Sequence, residues 1–157
     1  MITYSELSES DVSLFAIKSL RYLASSHEFE RQQEVVDYLN FGFGEITEDW
    51  ELYADGAMGF VELGVEDPEF IMDIAWKFYL FVKDNTKLLA ALNWTKYVLE
   101  NNEPQPAAID TYASLLYKIG RKAEAVKFSE QALVLAKSWG EDTKHFEHQL
   151  AKFKSGK

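Results

Sequence analysis

Three residues near the C-terminus have a spacing that could serve metal chemistry. His145 and His148 stand three apart with Glu141 one turn earlier, so a helix through this stretch would set them on one face. A zinc-like ion needs three or four such donors. No acidic or histidine pair elsewhere completes the set with a specific spacing, and the HExxH pattern is absent. The stretch therefore reads as a solvated helix face. His27 stands alone at an inter-helix turn and reads as structural or exposed. Acid–base catalysis needs two carboxylates held in different environments, and adjacent pairs occur at Glu48/Asp49 and Glu66/Asp67. Both pairs sit at helix starts, where negative charge suits the helix dipole, and that is the simpler account of them. Phe41-Gly42-Phe43-Gly44 lacks the GxxxxGK[ST] spacing of a phosphate loop, no Lys follows it, and no strand precedes it. No Ser or Thr lies in a nucleophile-elbow context. The chain has no cysteine, which excludes disulfides, thiolate chemistry and cysteine-ligated zinc within it. The expectation is a non-enzyme with no catalytic residue, no cofactor and no metal.

The elements that would position any site are helices. Ser10-Asp11 can cap a first helix to about Ser25, on which Val12, Phe15, Ala16, Leu20 and Leu23 recur at three- and four-residue steps. A second runs from about Glu28 to Leu39, and Asn40-Phe41-Gly42-Phe43-Gly44 should break it. A third starts after Thr47 as cap and ends near Gly64; Gly56 and Gly59 within it either weaken it or permit close helix approach. Asp67-Pro68 opens a fourth, since proline at the first helical position lacks only an N–H that would have no partner there. Its sequence PEFIMDIAWKFYLFV is apolar nearly all round, which predicts the most buried helix of the chain. A fifth spans about Thr86 to Leu99, a sixth runs from Pro106 to Ile119 and a seventh from Lys122 to Ser138. Glu141-Asp142-Thr143 opens a last one to about Lys154, with Phe146, Leu150 and Phe153 on one stripe. No segment shows the alternation of a strand, so the chain is predicted to be all-α, about eight helices, antiparallel between neighbours because the connections are short.

Charge and length bound the partners. A chain of 157 residues fits a single all-helical domain with a real core. The net charge of −10 argues against nucleic acid and against anionic membranes as partners. From Gln32 to Trp76 there are 12 acidic residues and no Lys or Arg, whereas from Lys118 onward nine basic residues outnumber five acidic ones. This asymmetry reads either as two solvated faces or as a surface for a basic partner or a second copy of the chain. No apolar run is long enough to span a bilayer. The polar, acidic N-terminus has no signal-peptide pattern, so a stand-alone chain is expected in the cytoplasm.

The stretch Pro106 to Trp139, PAAIDTYASLLYKIGRKAEAVKFSEQALVLAKSW, places Ala113, Ala125 and Ala132 where two helices must pack tightly around a turn at Gly120-Arg121. It resembles one tetratricopeptide repeat, a helix–turn–helix unit of about 34 residues. Phe70 to Glu100 can be laid on it as a degenerate earlier unit. The offset is 38 in the first helices and 34 in the second, which predicts a turn about four residues longer at Lys83-Asp84-Asn85-Thr86. The segments DPEFIMDIAW, ALNWTKYVLE, DTYASLLYKIGRKAEAV and SWGED also resemble the helical C-terminal region of thioredoxin-fold proteins from Bacteroidetes-type bacteria. The first resemblance implies an α-solenoid-like array of antiparallel helix pairs: N-terminal helices over 10–64, two pairs over 67–139 and a capping helix over 141–154. It implies a non-catalytic module for protein–protein interaction or scaffolding, with a protein or peptide partner, self included. It also places a concave groove along Met72, Trp76, Tyr79, Asp110, Ser114, Tyr117 and Lys118. Asp110 occupies a position that is basic in the subfamily binding chaperone tails, which disfavours a C-terminal carboxylate ligand. The second resemblance implies instead an accessory or dimerisation domain of a larger redox protein, with a periplasmic location.

Overall fold

The computed structural model describes residues 18, 32–64 and 67–156. Seven helices and no strand are found among the described residues. The chain divides into two compact units, Met1–Val65 and Glu66–Lys157. Apart from Lys18, the expected first helix lies outside the described residues, as does His27.

The first unit holds α1 (Gln32–Ile46) and α2 (Trp50–Glu62), packed against each other. The expected break at Phe41-Gly42-Phe43-Gly44 does not occur: α1 runs through it. Both glycines are helical, and Gly44 has a contact reason to be glycine. A Cβ there would sit 2.5 Å from the Tyr53 Cα and against its backbone nitrogen. Gly56 is the reciprocal case on α2, where a Cβ would meet the Phe41 nitrogen and lie 2.5 Å from the Asp37 carbonyl. Of the two readings for Gly56, close approach is the one observed. The cap of α2 is Asp49, whose Oδ1 accepts from the Leu52 N–H at 3.1 Å. Thr47 instead closes α1, donating from Oγ1 to the Phe43 carbonyl at 2.7 Å. Phe41 stacks on Phe60 and tilts against Tyr53, and Tyr53, Ala54 and Ala57 are buried.

The second unit comprises α3 (Pro68–Phe81), α4 (Asn85–Asn101), α5 (Pro106–Lys118), α6 (Lys122–Trp139) and α7 (Lys144–Ser155). Asp67 caps α3, accepting from the Glu69 and Phe70 N–H groups. Asp84 caps α4 through Thr86 and Lys87, and these backbone bonds hold its carboxyl below the usual range. Gly120 and Gly140 turn the chain with positive φ after α5 and α6, the second as a left-handed C-cap. Helices α3 and α4 form one adjacent pair and α5 and α6 another; α7 packs on α6 and α5.

Two expectations are corrected here. The most buried helix is α5, not α3. Ten of its 13 residues are buried, against Ile71, Ile74, Ala75 and Phe78 in α3, where Leu80 and Phe81 face solvent. Packing decides this rather than composition, because α5 has α3, α4, α6 and α7 around it. The four-residue excess of the earlier pair is not a longer turn either. Both connections, 82–84 and 119–121, have three residues, so the excess lengthens α3 and the start of α4 as helix. The small residues Ala113, Ala125, Ala132 and Ala136 are fully buried at the α5–α6–α7 contact.

Candidate functional site

Helix α7 covers most of the groove that the resemblance implies. Its His145 places Nε2 2.9 Å from Oδ2 of Asp110, and Gln149 points Nε2 at the Ser114 hydroxyl at 3.4 Å. Phe153 stacks on Tyr117 with ring centroids 4.6 Å apart. These partners advance together along both helices, so α5 and α7 run parallel. Helix α7 also reaches α3: His145 meets the Trp76 ring edge-on at 6.0 Å, and Lys152 donates to the Tyr79 hydroxyl at 2.8 Å. Lys118 is turned inward and donates to the Phe78 carbonyl at 3.2 Å and to the Tyr79 carbonyl. It thus supplies the last turn of α3 with the positive charge that helix lacks. Burial, with Lys83 nearby, holds the Lys118 amine below its ordinary range.

At the other end the groove stays open. A cleft of about 910 Å³ lies between the starts of α3, α5 and α7 and the end of α4. Met72, Trp76 and Asp110 line it, whereas Tyr79, Ser114, Tyr117 and Lys118 do not. Its apolar wall is completed by Val98, Leu99, Ala108 and Phe146, and its rim carries Asp67, Glu69, Asp73 and Glu103. No Lys or Arg is among the lining residues. Asp67 is engaged in capping and Asp73 pairs with Lys77 at 2.8 Å.

Asp110 is the unusual group. Its side chain is 3% exposed; Oδ2 bonds to His145, and Oδ1 has no hydrogen-bond partner in the protein. Burial pushes its carboxyl above the ordinary value, and the contact with His145 only partly offsets that. A group with a raised folded-state value stabilises the fold most when protonated and loses that contribution as pH rises through it. The titratable groups that share the cleft with it include His145 from α7, Glu69 and Asp73 from α3, and Glu103 before α5. Asp110→Asn should therefore gain stability relative to the parent at neutral pH. The gain should shrink as pH falls toward the ordinary aspartate value of 3.8. Urea midpoints across pH check the sign, and a constant difference would contradict it.

The sequence reading missed His145 and Phe146 as cleft residues, along with Val98, Leu99 and Glu103. A usable signal was present at His145, which stands four and eight residues before the buried Gln149 and Phe153 and so shares their stripe. His145 bonds Asp110, and among the described residues no three or more His, Cys, Asp or Glu are grouped so as to hold a metal ion. No helix among the described residues is long and apolar enough to cross a membrane. Compared with known proteins, this chain matches no family model, no curated protein and no solved structure.

Proposed function

We propose that this protein is a non-catalytic module that binds a segment of a partner protein in the cleft between α3, α4, α5 and α7. The observation that carries the reading is the cleft itself. It has an apolar and aromatic wall, a buried carboxylate oxygen without a partner at its edge, and a volume in the range that encloses a small ligand or a few side chains. Paired helices in an array of tetratricopeptide type would present such a groove, and here α7 confines it to one end. Aromatic residues at the centre of an interface carry much of its binding energy, and Trp76 is the aromatic placed to do so.

Display of random short peptides on the immobilised protein tests this. Enriched peptides should bind Trp76→Ala roughly thirtyfold more weakly, the loss of a typical aromatic hot spot. The circular dichroism of that variant should stay unchanged, since Trp76 is only partly buried. No enrichment, or enrichment indifferent to Trp76→Ala, would sink the reading.

A further inference from the structure

We infer that the cleft selects an arginine side chain of its partner peptide, with the guanidinium seated between Asp110 and Trp76; this rests on the peptide-binding reading above. Asp110 is all but buried, lines the cleft, and keeps one oxygen without a hydrogen-bond partner in the protein. Such an oxygen asks for a donor, and a charged donor serves it best.

The surroundings favour positive charge. Helices α3, α5 and α7 begin at the cleft and α4 ends there, so the helix dipoles sum to roughly one positive charge. Against this stand the carboxylates of Glu69, Glu103 and Asp110, none of them paired with a Lys or Arg among the described residues. Three formal charges outweigh one. A bare metal ion does not fit, because the donors do not converge into a set of three among the described residues. Between the two cationic side chains, the walls choose. A guanidinium is planar and weakly hydrated and lies well against an aromatic ring, whereas an ammonium gives up more hydration to enter beside Met72, Val98 and Phe146. An arriving cation would also draw the Asp110 carboxyl back toward its ordinary value, relieving the effect of burial.

The test is an NMR titration of the full chain with Nα-acetyl-arginine amide and with Nα-acetyl-citrulline amide, its neutral near-isostere. The arginine probe should shift the Trp76 indole N–H and the His145 ring saturably. The citrulline probe should bind about tenfold more weakly, because it lacks the charge. Asp110→Asn should erase the difference between the two. Equal shifts from both probes, or none from either, would overturn the inference. Shifts that grow with protein concentration without probe would assign the cleft to a second copy of the chain, which also overturns it. Displayed peptides that depend on Trp76 yet contain no arginine would sink this inference alone and leave peptide binding standing.

Discussion

Gly56→Ala should lower the stability of the first unit by about 1–3 kcal/mol or more, while Gly42→Ala in the partner helix should leave it unchanged or raise it. The two substitutions add the same methyl group to a helix interior. At Gly42 a Cβ meets nothing within 4 Å, so the change should gain up to about 1 kcal/mol of helix propensity. At Gly56 it meets main chain on α1: the Phe41 nitrogen, the Asp37 carbonyl oxygen at 2.5 Å and the Asn40 carbonyl carbon at 2.7 Å. Backbone cannot rotate away as a side-chain tip can, so the helices must separate, and overpacking of this kind costs about 1–3 kcal/mol, occasionally more. Separation would also pull Phe41 off Tyr53 and Phe60. Urea unfolding of the two variants decides it. Equal midpoints would mean that close helix approach is not what Gly56 provides.

The second large effect is expected at Phe153→Ala, a loss of about 3–4 kcal/mol, within the range for truncating a buried phenylalanine. Phe153 is 2% exposed and stacked on Tyr117, and with Phe146 it is one of the two buried apolar anchors of α7. For a domain whose net stability is typically about 5–15 kcal/mol, that loss is a large fraction. Lys152→Ala, one residue earlier, removes an exposed hydrogen bond to Tyr79 and a cation over its ring and should cost less than about 1 kcal/mol. Thermal melts of both variants provide the comparison. A Phe153→Ala protein as stable as the Lys152→Ala one would mean that α7 does not seal the groove.

Helix positions were legible in the sequence where local chemistry sets them. Asp67-Pro68 marks the start of α3 because a carboxylate cap and a proline both fit the first turn. Gly120 and Gly140 mark turns because the backbone there has positive φ. Signals that depend on a neighbour were not legible. Gly42 and Gly44 look like a break in isolation, yet Gly44 lies against Tyr53 of another helix. The burial of α5 likewise follows from four surrounding helices and not from its own hydrophobicity, which is why the more apolar α3 was expected in its place. The site divides the same way. Met72, Trp76 and Asp110 could be named from the resemblance, and a capping helix over 141–154 was expected, but its course along α5 was not. That α7 folds back over Ser114 and Tyr117, and brings His145 to Asp110, depends on pairings 35 residues or more apart in the chain.

The parallel register of α5 and α7 has a further consequence. Asp110, Ser114 and Tyr117 meet His145, Gln149 and Phe153 at a nearly constant separation, so α7 stands where the leading helix of a next layer would stand. Layers of helices stacked in this way depend on their nearest neighbours for their order. Helix α7 carries one wall of the cleft, through His145 and Phe146. Loosening of α7 from α5 and dissolution of the cleft are then one event. A ligand held there would act as a clasp, slowing amide exchange along α7 well beyond the few residues it touches.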